Sequence, residues 1–143
     1  MHATQPTPTV VDPTPADTLR HAADYLEVHG WCQKSYYGTW VAPNPPACTV
    51  GALAIVAYGY AHPEPFCDVF HDDEGQITCW SEFVNAEFAL ACYLGLHRTD
   101  EGHDPDDIES VHDWNDAQGR SAVEVIATLR AAAQDYQQQA GVA

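Results

Sequence analysis

Residues 48–58 are almost wholly apolar, and this run limits most strongly how the chain can fold. Gly51 and three alanines within it are small enough to let another helix approach closely, and Gly59 follows where a helix would end. A segment without a polar face belongs in the core. The pattern favours a central buried helix. The alternative is a strand over residues 48–56, which the β-branched residues favour and the alanines and glycine oppose.

Caps and apolar periodicity predict the first and last helices. Thr14 and Asp17 have the spacing of a capping box around a proline at the first helical position, and Gly30 can end that helix at about residue 29. Ser121 and Glu124 have the same spacing, and apolar residues then recur every three to four positions to Tyr136. We therefore expect two amphipathic helices that pack on the central one.

The remaining segments are less regular. Ser81 can cap another mostly apolar helix that ends near residue 94, and before it the sequence allows at most a short strand at residues 76–79. Aromatic residues and prolines in residues 31–47 predict either a short β-hairpin or an irregular loop. The sequence thus predicts a single, mainly α domain of four helices at residues 14–139, after a disordered Thr/Pro tail at residues 1–13.

Negative charge is concentrated in one part of the chain. There are 21 acidic and five basic residues, a formal net charge of −16, and residues 64–116 hold 15 of the acidic residues against one base, Arg98. Such a chain repels phosphates, which argues against binding to nucleic acid or to an anionic membrane surface. No apolar run reaches the roughly 18 residues that span a bilayer, and no signal peptide pattern is present. We expect a soluble, cytoplasmic protein.

Three short motifs stand out from the helical pattern. They are Trp31-Cys32-Gln33, Cys48-Thr49-Val50-Gly51-Ala52-Leu53, and Trp114-Asn115-Asp116 with Gly119-Arg120. Together they resemble a domain of unknown function that is shared by small proteins of actinobacteria and their phages. The resemblance covers most of residues 17–135 and implies no established activity, catalytic residue or ligand. It implies a setting, that of a phage-encoded cytoplasmic accessory protein.

The acidic segment is the first candidate binding surface, and we expect its partner to be a protein with a basic surface. The acidic candidates are Asp72, Asp73, Glu74, Asp100, Glu101, Asp104, Asp106, Asp107 and Glu109. Trp114, Asn115, Asp116 and Arg120 add apolar area and directed hydrogen bonds. Two alternatives stay open: the acidic surface only keeps the protein soluble, and the Trp114 segment is a structural turn in which Asp116 pairs with Arg120 or caps local amides. Self-association is compatible with either.

Thiol chemistry is the second functional hypothesis. Cys48 lies where the central helix begins, and amides at a helix N-terminus stabilise a thiolate. Gln33, His112 and Asn115 would complete a Cys/His/Asn arrangement of the kind used by thiol-dependent hydrolases and transferases. The alternative is a structural thiol, because free cysteine is among the most buried residue types. The sequence favours this alternative, and with it a protein that is not an enzyme.

The other cysteines and histidines give weaker signals. The candidate metal ligands are His62, Cys67, His71 and Cys79. Mixed Cys/His ligation suits zinc, but this spacing matches no zinc-finger pattern, so we expect a solvated loop and no cofactor. Five cysteines without a CxxC pair predict reduced thiols. Cys32 and Cys48 flank the proposed hairpin and can approach each other, but a reducing cytoplasm opposes a bridge between them.

Overall fold

The computed structural model describes residues 13–39, 43–66, 74–96 and 110–141, and this part of the chain is mainly helical, as predicted. Its five helices are α1 (Pro15–His29), α2 (Thr49–Tyr58), α3 (Glu74–Tyr93), α4 (Val111–Asp116) and α5 (Ala122–Gly141). Within these ranges no helix combines the length and apolarity needed to cross a lipid bilayer. The predicted disordered tail lies outside the described residues, apart from Pro13.

The central helix α2 forms where the apolar run predicts it, and the strand alternative is wrong. Cys48 is its N-cap, with Sγ accepting a hydrogen bond from Gly51 N at 3.3 Å, and Gly59 ends it in the left-handed conformation with φ 85°. Most of its residues are buried, because α2 packs against α1, α3 and α4. It therefore lies at the centre of the core.

Helices α1 and α5 pack together, α1 also packs against α2 and α3, and α5 packs against α3. Leu19 and Leu26 of α1 and Val125 and Leu129 of α5 are all buried in the common core. This is the arrangement that the amphipathic periodicity predicts, since each helix buries one apolar stripe. Among the helix pairs of the described chain, α1 and α5 make the most extensive contact.

The caps of these two helices differ in detail. The capping box of α1 is complete: Asp17 N donates to Thr14 Oγ1 at 3.3 Å and Thr14 N donates to Asp17 Oδ2 at 3.0 Å. At α5 only half of the predicted box forms, with Glu124 N donating to Ser121 Oγ at 3.2 Å. The Glu124 carboxylate pairs with Arg120 instead, at 2.7 Å. The start of α5 is thereby tied to the segment before it.

Helix α3 begins earlier than predicted. It begins at Glu74 rather than after Ser81, so residues 76–79 are helical and the short strand proposed there is wrong. Contacts outside the helix support this added part, because Trp80 Nε1 donates to Phe66 O at 3.4 Å and Cys79 packs against the core. Tertiary packing of this kind overrides the weak strand preference of an isoleucine and a threonine.

The short helix α4 was not predicted, because the Trp114 segment was interpreted only as part of a binding surface or as a structural turn. Ser110 and Asp113 form a complete capping box at its start, with Asp113 N donating to Ser110 Oγ at 3.1 Å. The spacing of these two residues is the sequence signal that reveals the helix. Residues 97–109, which precede it, lie outside the described residues.

The connection between α1 and α2 is irregular in its described part, and a hairpin is not shown. Ala47 makes two isolated bridges, a parallel one with Trp31 and an antiparallel one with Tyr37. The loop runs very close to α2: a Cβ atom added to Gly51 would lie 2.2 Å from Tyr36 O. Glycine is therefore required at position 51 by the approach of another backbone.

Candidate functional site

The three sequence motifs meet at the side chain of Asn115, which is 1% exposed. Its Oδ1 accepts hydrogen bonds from Trp31 Nε1 at 2.7 Å, Thr49 N at 2.9 Å and Thr49 Oγ1 at 2.6 Å. Its Nδ2 donates to Cys32 O at 3.2 Å and to Asp116 Oδ1 at 2.9 Å. One side chain thus joins the α1–α2 loop, the start of α2 and the end of α4. We call Asn115 and these four partners the motif junction.

Gln33 and Asp116 extend the motif junction through backbone groups. Gln33 Nε2 donates to Asn115 O at 3.0 Å and to Ala117 O at 3.1 Å, so it caps carbonyl groups at the end of α4. Asp116 Oδ1 accepts from Lys34 N at 2.8 Å. Lys34 has φ 68°, in the left-handed region that side chains disfavour, and this hydrogen bond helps to stabilise that conformation. Both polar side chains therefore stabilise the fold of the loop.

A cleft of about 320 Å³ opens beside the motif junction, and we call it the Cys48 cleft. Its lining residues are Lys34, Ser35, Tyr36, Cys48, His112 and Asp116. Cys48 and His112 were proposed together from the sequence, and the structure brings them to one cavity. The other two residues of the thiol hypothesis have structural roles: Asn115 is the centre of the motif junction, and Gln33 donates hydrogen bonds to carbonyl groups at the end of α4. Asp116 is the carboxylate that accompanies the cysteine and the histidine.

The Cys48 thiol is 3% exposed, and burial raises its pKa to about 12. Its hydrogen bond from Gly51 N lowers the pKa, but burial has the larger effect. The group at the N-terminus of α2 is therefore a protonated thiol at neutral pH rather than the thiolate that a helix N-terminus favours when it is open to water.

His112 shares this cleft and is half-buried. Its ring lies edge-on to Tyr36, with the centroids 5.3 Å apart, and 6.1 Å from the ring of Phe66. Burial lowers the pKa of His112, against the opposing effect of the Asp116 and Asp113 carboxylates. The cleft therefore combines a neutral imidazole, a protonated thiol and a carboxylate at neutral pH.

The lowered pKa of His112 predicts a loss of stability in mild acid. In the unfolded chain an imidazole takes up a proton at about pH 6.5, whereas in the folded protein it does so only at lower pH. Its contribution to folding stability is therefore fully present above about pH 6.5 and decreases as the pH falls towards the folded pKa. Urea unfolding should show that His112→Gln has a weaker pH dependence than the wild type between about pH 6.5 and 5. Parallel pH profiles for the two proteins would contradict this.

Trp114 and Arg120 form a separate contact on the outer side of the motif junction. Trp114 is 8% exposed, and the Arg120 guanidinium carbon lies 4.5 Å from its ring centroid. Arg120 Nε donates to Trp114 O at 2.8 Å, and its charge is paired with Glu124. The Asp116–Arg120 pair expected for a structural turn is thus replaced by Glu124–Arg120, although Trp114 does anchor the turn.

The other predicted site residues are mostly outside the described part. Among the candidate metal ligands this applies to Cys67 and His71, whereas His62 Nδ1 accepts from Glu64 N at 3.0 Å and Cys79 packs against the core. In the ranges that the structure describes, no group of three or more histidine, cysteine or acidic side chains is arranged to hold a metal ion. The acidic candidates outside the described residues are Asp72, Asp73, Asp100, Glu101, Asp104, Asp106, Asp107 and Glu109. For Glu74 the backbone is helical.

Comparison with known proteins gives a family match. Residues 10–135 match the family model of DUF6197, a family of unknown function. No curated protein and no solved structure matches the chain. The match covers the described helices up to residue 135 and all three motifs, but it assigns no activity to any of them. The function is therefore argued from the geometry of the chain itself.

Proposed function

The chain belongs to DUF6197, a family of unknown function, and we propose that it is an acidic accessory protein that binds a macromolecular partner with a basic surface. The observation that carries the proposal is the contact between the rings of Phe66 and His112. We further propose that it acts in the cytoplasm of an actinobacterium and is encoded by a phage, the setting that the resemblance of the three motifs implies. Catalysis is not part of this function.

The Phe66–His112 contact joins the attachment points of two acidic segments. The two ring centroids are 6.1 Å apart, and Phe66 is 39% exposed. Phe66 directly precedes residues 67–73, which carry three acidic residues. His112 closely follows residues 97–109, which carry six. Residues next to the two acidic segments in the sequence therefore lie close together, which supports the proposal that both segments meet one partner.

The arginines of the described residues do not compensate this charge. Arg130 pairs with Asp24, at 3.0 Å, and with Glu27, which ties α5 to α1. Arg120 pairs with Glu124. All three acidic partners lie outside residues 64–116. Clustered charge of one sign accelerates the encounter with such a surface and makes it dependent on salt.

Neutralising part of the acidic segment should weaken the capture of partner. In the variant Asp104→Asn, Asp106→Asn, Asp107→Asn, we expect less bound protein in affinity capture from host lysate and little change in melting temperature, because charges of one sign that are clustered in the sequence repel each other and their removal costs little stability. A salt increase from about 0.1 M to 1 M should have the same effect, since the Debye length shrinks from about 10 Å to about 3 Å. The band that responds to both treatments identifies the partner.

The control removes the same charge elsewhere. Asp12→Asn, Asp24→Asn and Asp135→Asn together also take away three negative charges, all outside residues 64–116. This variant should retain the partner. If both triple variants bind equally well, and salt has no effect, the acidic segment only keeps the protein soluble.

A second candidate function, a thiol-dependent hydrolase or transferase that uses Cys48, is favoured by one observation. Cys48, His112 and Asp116 line the same cleft, so a nucleophile, a base and a carboxylate lie together. The burial and the raised pKa of Cys48 oppose this function, because the thiolate is the reactive form.

Alkylation separates the two candidates. With iodoacetamide at neutral pH, we expect the native protein to be labelled at the exposed Cys92 and to stay unlabelled at Cys48. Labelling of Cys48 should require a denaturant. If Cys48 reacts in the native protein faster than Cys92, the thiol enzyme becomes the better proposal.

A further inference from the structure

Trp31 and Ala47 form a parallel backbone bridge, and Cys32 and Cys48 are the residues that follow them in the sequence. Ala47 N donates to Gly30 O at 3.1 Å and Cys32 N donates to Ala47 O at 3.0 Å, which pairs Trp31 with Ala47. The next residue on each segment is a cysteine. Paired segments lie about 4.8 Å apart, and in a parallel pairing neighbouring residues of equal register leave the backbone on the same side. The backbone pairing thus directs both cysteines to one side.

The Asn115 side chain holds the same two positions together. Its Nδ2 donates to Cys32 O at 3.2 Å, and its Oδ1 accepts from Thr49 N at 2.9 Å, the amide that directly follows Cys48. The Cys32 thiol also lies near the Cys48 cleft, since its Sγ donates to Ser35 O at 3.6 Å and Ser35 lines that cleft. Two independent sets of hydrogen bonds therefore fix the separation of the two cysteines.

We propose that Cys32 and Cys48 form an intramolecular disulfide when the protein meets a disulfide oxidant, for which oxidised glutathione serves as the probe. A disulfide needs Cα atoms about 4.4–6.8 Å apart, and the spacing of paired segments meets this requirement. The modification site goes beyond the proposed binding function. It would link the α1–α2 loop covalently to the start of α2, the two segments that the motif junction aligns.

The reaction has two balanced steps. Cys32, the less buried thiol of the two, loses its proton and attacks one sulfur of oxidised glutathione, which forms a mixed disulfide and releases one glutathione thiolate. Cys48 then loses its proton and attacks the Cys32 sulfur, which releases the second glutathione thiolate. The two cysteines are oxidised by two electrons, and one molecule of oxidised glutathione is reduced to two thiols. Burial prevents reagents in solution from reaching Cys48. The mixed disulfide on Cys32, however, places the glutathione leaving group next to Cys48.

Mass spectrometry of tryptic peptides tests the proposal. The full-length protein is incubated with oxidised glutathione at about pH 8.5, where more of each thiol is ionised, and the remaining thiols are then blocked. Trypsin cuts after Lys34, so the disulfide would connect the peptide of residues 21–34 to the peptide of residues 35–98. We expect this connected pair of peptides, with fragmentation placing the bond on Cys48, and its disappearance on reduction.

The controls distinguish this bond from random oxidation. Cys92→Ser should leave the connected peptides unchanged, whereas Cys32→Ser should abolish them. Cys32→Ser keeps a hydroxyl for the hydrogen bond to Ser35 O, so it should fold. If Cys32 stops at the glutathione adduct, or if the bond connects Cys32 to Cys67, Cys79 or Cys92, the proposal is overturned.

Discussion

Gly51→Ala should destabilise the protein by about 3 kcal/mol, although alanine is the better helix former by about 1 kcal/mol. Gly51 lies inside α2, and the added methyl group would meet Tyr36 O at 2.2 Å and the ring of Tyr37 at 3.2 Å. The backbone oxygen cannot rotate away as a side chain can. The loop would have to move, together with its hydrogen bond from Cys48 N to Tyr36 O. Urea unfolding monitored by circular dichroism measures the effect.

Gly141→Ala is the matched control for this substitution. It makes the same chemical change near the end of a helix, where nothing lies within 4 Å of the added atom. Its free energy of unfolding should stay within about 0.5 kcal/mol of the wild type. Equal stability of Gly51→Ala and Gly141→Ala would show that the loop does not approach α2 as described.

Asn115→Ala should cost about 3–5 kcal/mol, the largest effect that we expect of a polar residue. It removes the acceptor of three hydrogen bonds from Trp31 and Thr49 and the donor to Cys32 O. Each buried group left without a partner costs roughly 1–3 kcal/mol, and only part of this is recovered by relaxation. The melting temperature should fall by more than 10 °C, given a shift of about 4 °C or more for each kcal/mol.

Two further variants test whether the loss of buried hydrogen bonds is what destabilises Asn115→Ala. Asn85→Ala removes an exposed asparagine from α3 and should change the stability little. Asn115→Asp keeps the Oδ1 acceptor but places a second oxygen, instead of the Nδ2 donor, beside Cys32 O and Asp116 Oδ1. It should be destabilised at neutral pH and recover partly in acid, where the new carboxyl is protonated and can donate again. An Asn115→Asp variant as stable as the wild type would contradict this account of the motif junction.

The helices with local signals were predicted well from the sequence. The capping box at Thr14, the apolar run that forms α2 and the spacing after Ser121 are all contained in a few neighbouring residues. The start of α3 could not be found this way, because its first part is supported by the contact of Trp80 with Phe66, 14 residues away. Helix α4 also had a local signal, the spacing of Ser110 and Asp113, which the prediction did not include.

The site was predictable only in part. Cys48 and His112 were proposed together from their chemistry, and they do line one cleft. The role of Asn115 could not be deduced, because its partners Trp31 and Thr49 are 84 and 66 residues away in sequence. No local pattern shows which of two neighbouring polar residues points into the core. In the structure it is Asp116, and not Asn115 as predicted, that lines the cleft together with His112.

The contact between α1 and α5 bears on how the protein is made. The most extensive contact of α1 is with α5. During synthesis α1 therefore leaves the ribosome more than 90 residues before α5 does. Until then the part of the apolar face of α1 that α5 covers stays open to other chains. Since these long-range contacts close the fold, we infer that folding is completed only after α5 has left the ribosome. Truncation before α5 should therefore yield an aggregation-prone fragment rather than a smaller folded unit.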